Sequence, residues 1–162
     1  MLIYHGSNQE ISAPNLEGSR VRMDFGRGFY TSEDRNHADL FAKRKSRFQE
    51  GVPTVSVYDI DIDEMKKLYE VKVFDSASEE WFDYVVQNRI AEIADDTFDL
   101  VSGNTADENV RDIVNMYVSN PTVYVKSELI KQLKPEIFAR QIVFKTERIL
   151  GQLKFIESYL VR

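Results

Sequence analysis

The sequence predicts an α+β fold built on a largely antiparallel sheet. Three observations carry that expectation. Strand-like stretches lie near both ends of the chain, helical patterns fill its middle, and no internal repeat or Pro/Gly/Ser linker divides the 162 residues. At this length roughly 70% of the unfolded surface is buried on folding. With 43% hydrophobic residues, one domain over residues 1–162 is therefore expected.

Leu2 to His5 reads as a short strand stopped by Gly6-Ser7-Asn8. A loop containing Pro14 leads to a second extended piece near Val21 to Phe25, which Gly26 and Gly28 break before Phe29-Tyr30. Thr31 or Ser32 is placed to cap a helix whose first turn holds Glu33 and Asp34, where the helix dipole favours acids. Ala38, Phe41, Ala42 and Phe48 form its apolar stripe, and Gly51 ends it. Thr54 to Ile62 is the clearest strand, with an irregularity expected at Tyr58-Asp59. Ser78 caps a helix carrying Trp81, Phe82, Val85, Val86, Ile90 and Ile93. Thr105 to Glu108 has capping-box spacing and opens a helix that runs to about Val118 and is closed by Asn120-Pro121. Lys126 to Lys134 is a short helix stopped by Pro135. Strands follow at Arg140 to Lys145 and Gln152 to Leu160, with a helical turn begun by Thr146 between them.

Composition narrows the chemistry. The chain has no cysteine, which excludes disulfides, thiolate metal sites and cysteine nucleophiles and fits a reducing compartment. No apolar run approaches the ~20 residues of a membrane span. The first residues, Met1-Leu2-Ile3-Tyr4-His5, do not read as a signal peptide, so a cytoplasmic protein is expected. The net charge of −6 is concentrated in residues 51–120, with 5 basic and 16 acidic side chains. Such a chain is a poor nonspecific binder of nucleic acid. Asp95, Asp96, Asp99, Asp107 and Glu108 match no calcium loop and read as solvated surface, so no metal is expected.

Three pieces carry chemistry. In Tyr4-His5-Gly6-Ser7, the glycine permits close backbone approach to a ligand and the imidazole can bond a sugar hydroxyl; alone, it reads equally as an exposed turn. His37, on the polar side of a helix, reads as solvated. Asp24 to Thr31 contains Gly26-Arg27-Gly28 followed by two aromatics, which can present a flat face to a heterocycle or simply fill the core. The third glycine of a dinucleotide fingerprint is missing. Arg140-Gln141-Ile142-Val143-Phe144 opens a strand either as a plain strand edge or with Gln141 pointing into a cleft and Arg140 turned the other way by the period of two.

Together these pieces resemble the ADP-ribosyltransferase superfamily, in the His-Tyr-Glu branch that contains poly(ADP-ribose) polymerases and diphtheria toxin. Tyr4-His5-Gly6-Ser7, the Asp24-to-Thr31 run, Phe98-Asp99-Leu100-Val101-Ser102-Gly103 and Gln141-Ile142-Val143-Phe144-Lys145-Thr146-Glu147 are more closely similar to the bacterial domain-of-unknown-function family 3990. That family is regarded as ADP-ribosyltransferase-like and is often found beside small antitoxin-like genes. The resemblance implies a split antiparallel β-sandwich with an NAD cleft and flanking helices. It also implies mono-ADP-ribosyl transfer from NAD to an unknown acceptor, protein rather than nucleic acid, with a small antitoxin protein as a partner and no membrane. By the same resemblance His5, Tyr30 and Gln141 are the catalytic set. His5 bonds a ribose hydroxyl, Gly6 holds the nicotinamide amide, Tyr30 stacks on the ring and Phe41 closes its other side. Ser7 and Arg20 are looser candidates, Arg20 for the pyrophosphate, and Gly26 and Gly28 shape the ligand-binding loop. Gln141 departs from the family glutamate, which leaves NAD hydrolysis and NAD binding without turnover as alternatives.

Overall fold

The computed structural model describes residues 1–94, 97–106, 108–133 and 139–162. Seven strands form one sheet: β1 (Leu2–Ser7), β2 (Phe29–Ser32), β3 (Thr54–Asp59), β4 (Val71–Val73), β5 (Leu100–Asn104), β6 (Arg140–Phe144) and β7 (Lys154–Leu160). Their order across the sheet is β4-β5-β6-β2-β1-β3-β7. Every pairing is antiparallel except β4 with β5. Among the described residues there are also six helices: α1 (Arg35–Phe48), α2 (Ile62–Leu68), α3 (Glu79–Ile90), α4 (Glu108–Ser119), α5 (Lys126–Lys131) and α6 (Glu147–Leu150). The α+β class is therefore found, with one mixed sheet. No helix among the described residues is long and apolar enough to cross a membrane.

The junctions between strands are unequal. β1 pairs with β3 at six positions but with β2 at one, Tyr4 with Ser32. A seam thus runs between β1 and β2 beyond Tyr4. It separates a leaf of β4, β5, β6 and β2 from a leaf of β1, β3 and β7. On the first face of the sheet each leaf has its own apolar cluster. Val101 and Val143 pack with Phe25, Trp81, Phe82 and Val85 on one side, and Val55 packs with Ala38 and Ala42 of α1 on the other. On the second face a single cluster spans both leaves, joining Ile3 and Tyr58 to Phe29, Leu100, Ile142 and Phe144.

Several elements follow from local signals. The Ser78 hydroxyl accepts from the Trp81 N–H (3.2 Å) and starts α3, and Trp81 is fully buried. β3 carries its irregularity between Val57 and Tyr58 in the pairing with β7, one residue before the expected place. Other expectations are corrected. Thr31 and Ser32 belong to β2, and Asp34 caps α1 by accepting from the Asn36 N–H (2.8 Å). Phe41 and Phe48 do not join the core; they are 45% and 81% exposed, and the buried residues of the helix are the small Ala38 and Ala42. β3 ends at Asp59 because Asp61 accepts from the Asp63 and Glu64 N–H groups and turns Ile62 into α2. The stretch from Val21 to Phe25 is a series of turns, and α3 stops at Ile90, leaving Ile93 82% exposed. Asp95, Asp96, Asp107, the side chain of Glu108, and the expected helix end at Lys134-Pro135 lie outside the described residues.

Candidate functional site

β1, β2 and β6 lie side by side at the centre of the sheet and carry His5, Tyr30 and Gln141. Ser32 pairs with Tyr4 on one side and with Gln141 on the other, and Gln141 also pairs with Gly103. Paired residues share a face. A row Gly103–Gln141–Ser32–Tyr4 therefore crosses four strands on the first face, between its two apolar clusters. Glycine and serine flank Gln141 in that row. Gln141 is 6% exposed and its amide nitrogen has no hydrogen-bond partner among the described residues. A buried polar group left unpaired costs about 1–3 kcal/mol. An orphan of this kind calls for a functional explanation or an ordered water.

Tyr30 lies on the same face, paired with Val143. Its hydroxyl donates to the Gly26 carbonyl (2.7 Å) and accepts from the Phe25 N–H (3.0 Å), closing the glycine-rich loop onto β2. Burial pushes the phenol well above its ordinary range, with nearby Asp24 adding to the effect. Tyr30 thus works through its ring and as a tie for the loop. Continuing the β1–β2 register past Tyr4 puts Gly6 across the seam from Tyr30.

His5 leaves β1 on the second face. Its ring stacks on Phe29, with centroids 4.2 Å apart, and Nδ1 lies 2.6 Å from the Tyr30 carbonyl oxygen. A carbonyl only accepts, so Nδ1 carries the hydrogen and Nε2 of the neutral ring is an acceptor. Burial lowers the imidazole to about 4; the Tyr30 carbonyl works against this and the Lys45 ammonium reinforces it. The sign of the linkage follows. The His5 contribution to stability is complete above pH 6.5 and is lost as the pH falls from 6.5 to about 4, because the unfolded chain takes up the proton first. The ring keeps some solvent contact, so the loss is about 2 kcal/mol rather than the full value of the shift. Denaturant unfolding at pH 7 and pH 4 should show that loss in the wild type; the variant His5→Asn should lack this part of the pH dependence.

The other expected residues divide by environment. Ser7 is buried; its hydroxyl accepts from Lys45 Nζ (3.1 Å) and donates to Asn8 Oδ1 (3.3 Å). Arg20 is exposed in the loop before the glycine-rich stretch, and Phe41 stands on the outer side of α1. The glycines are needed for packing. A Cβ on Gly6 would sit 2.2 Å from the Ala38 carbonyl oxygen of α1, and one on Gly28 would sit 2.4 Å from a Val143 methyl. Gly26 takes φ +75° and presses on Asn88. Arg140 turns away from Gln141, as the period of two predicts, and its Nη2 donates to Ser102 (3.3 Å). His37, expected to be solvated, is partly buried, and burial lowers its basicity.

Three residues of the neighbourhood escape the sequence. Ser32 reads as a cap, yet its hydroxyl donates to the Arg140 carbonyl (3.2 Å) and accepts from the Asp34 N–H (3.0 Å). Lys45 is one of five cations in a helix and has no distinguishing neighbour in sequence. Asp99, expected on the surface, is 1% exposed. It accepts from Thr146 Oγ1 (2.5 Å), from Arg148 Nε (2.6 Å) and Nη2, and from the Glu70 N–H (3.0 Å). Burial pushes its carboxyl up, but these four donors together hold it below the usual carboxylate range.

The sequence profile of a family described as "Protein of unknown function (DUF3990)" matches residues 1–155. The chain belongs to that family. No curated protein and no solved structure matches it. The DUF3990 match takes in His5, Tyr30, Lys45 and Gln141 together, so the whole seam lies within the family's own stretch. Two surface concavities lie away from that seam, one beside α4 at Asp112 and Met116, the other along α2 at Ile62 and Met65.

Proposed function

We propose that this DUF3990 chain binds NAD at the seam between β1 and β2 and transfers a single ADP-ribose unit to an acceptor. The observation that carries this reading is the buried, unpartnered amide of Gln141, flanked by Gly103 and Ser32 and one row from Tyr30. The resemblance to ADP-ribosyltransferases gives that amide a partner, a ribose 2′-hydroxyl. It also reads the seam as the split of that fold. NAD, when bound, supplies an activated glycosidic bond with nicotinamide as the leaving group.

The chain's own groups then have distinct roles. The acceptor nitrogen Nε2 of His5 takes a hydrogen bond from a sugar hydroxyl on the second face. The Tyr30 ring offers an apolar plane on the first. Gln141 orients the 2′-hydroxyl but carries no charge and cannot take up a proton, unlike a glutamate at the same place. The acceptor must therefore arrive as a competent nucleophile, and a chain of ADP-ribose units does not follow. In a bacterial setting such an activity suits a toxin controlled by a small antitoxin.

The test uses Gln141→Met, which keeps the volume and removes the orphan amide. It should gain about 1 kcal/mol in stability, because an unsatisfied buried group is replaced by an apolar one. Transfer to candidate acceptors, followed by intact-mass analysis with NAD, should fall by about 100-fold or more. NAD at 100 times its dissociation constant should stabilise the wild type by about 2.7 kcal/mol and the variant by much less. Nicotinamide release without an adduct in the wild type would indicate hydrolysis, and saturable binding without turnover a binding module. Full transfer by Gln141→Met would remove the residue from the mechanism.

A further inference from the structure

Lys45 is a strongly basic group directed at the end of the seam. It springs from the last turn of α1, a helix that covers the first face. Its ammonium nevertheless reaches the Ser7 hydroxyl at 3.1 Å, and Ser7 leaves β1 on the same face as His5. The lysine side chain thus reaches the end of β1, two residues along the strand from the imidazole. Burial weakens its hold on the proton, and its charge is felt at His5.

What it meets there is neutral. Its hydrogen-bond partner is a serine hydroxyl 1% exposed, and among the described residues no carboxylate lies within ion-pair distance. A plain structural account exists, since a cation in a last turn is favoured by the helix dipole. Arg47 stands in the same turn, exposed, and meets that demand from solvent. The dipole does not require a partly buried ammonium turned onto a buried hydroxyl. A partly desolvated cation without a counter-charge is suited to an anion that comes and goes.

We propose that Lys45 and the Ser7 hydroxyl seat a phosphoryl group at the end of the β1–β2 seam, the ligand's diphosphate when the ligand is NAD. The lysine acts as a point charge, and the serine exchanges its long 3.3 Å bond to Asn8 for one to a phosphoryl oxygen. The identity of the ligand rests on the NAD reading above; the anion seat itself does not. Lys45→Met keeps the apolar stem and removes the charge.

Calorimetric titration with inorganic pyrophosphate, NAD and nicotinamide tests the inference. Lys45→Met should weaken pyrophosphate and NAD by about 10- to 100-fold, the worth of a charge-assisted hydrogen bond, and leave nicotinamide unchanged. Lys45→Arg should retain most of the anion affinity. Pyrophosphate binding that depends on Lys45 in a protein that does not bind NAD would support the seat and overturn the NAD reading. Equal affinity of wild type and Lys45→Met for both pyrophosphate and NAD, with NAD bound, would overturn the seat and leave the NAD reading standing. A wild type that does not bind pyrophosphate, with NAD affinity independent of Lys45, would overturn it as well. Ser7→Ala provides a second variant should Lys45→Met fail to fold: a loss of pyrophosphate affinity supports the seat, and no change counts against it.

Discussion

Asp99→Ala is expected to lower the unfolding free energy by about 3 kcal/mol, because it removes one buried acceptor that four hydrogen bonds share. The carboxylate gathers the Glu70 N–H ahead of β4, the Thr146 hydroxyl and the Arg148 guanidinium of α6 around the start of β5. Arg148 is 64% exposed and regains water when the carboxylate is lost. The Thr146 hydroxyl, on a partly buried residue, regains it less readily, while the Glu70 N–H belongs to an exposed residue. For a chain of this size the melting temperature should fall by roughly 6–12 °C. Asp99→Asn should recover part of the loss, because an amide oxygen still accepts. The carboxyl is held low, so its contribution is complete above the ordinary carboxylate pKa and is lost as the pH falls below it. A thermal melt of Asp99→Ala indistinguishable from wild type would show that the four bonds are not jointly made in solution.

Gly6→Ala is the second large effect. A methyl there meets the Ala38 carbonyl oxygen at 2.2 Å and the Ala42 nitrogen at 2.8 Å, both backbone atoms of α1. Neither can rotate aside, so the helix must lift off β1. Overpacking of this kind costs about 1–3 kcal/mol and sometimes more. Lifting α1 also draws Lys45 away from Ser7, so ligand affinity should fall together with stability. A variant of full stability would mean that α1 is held less closely than its contacts indicate. Differential scanning calorimetry of the free protein and of the protein with pyrophosphate separates the two parts.

The elements around the seam are legible in the sequence because glycines punctuate them. Gly6 and Gly28 mark the places where β1 and the approach to β2 meet neighbouring backbone, Gly26 takes a positive φ in the loop between them, and the hydrophobic alternation of β3 is plain. β5 is not legible. Leu-Val-Ser-Gly-Asn is buried throughout, so it lacks the alternation that betrays a half-exposed strand. β4 has three residues and gives no period to read. The cap at Asp61 was present in the sequence, but the apolar Ile60 and Ile62 extended the apparent strand through it. Asp99 was hidden for a different reason, since its main partner stands 49 positions away.

The candidate site was legible in its strands more than in its geometry. His5, Tyr30 and Gln141 do fall on three adjacent strands, but strand period and register send the imidazole to the face opposite the other two. That outcome depends on pairing, which no local pattern encodes. Lys45 could not be singled out among its neighbours, because only the tertiary position of Ser7 distinguishes it.

A sheet joined in this way behaves like a bound book. Its two leaves share one apolar cluster behind the page that bears His5, and that cluster is the spine. In front, the leaves are furnished separately, so no apolar cluster of the described residues joins Tyr30 and Gln141 on one side to α1 on the other. The bond from the imidazole to the Tyr30 carbonyl is then a clasp set along the spine, where it steadies the binding.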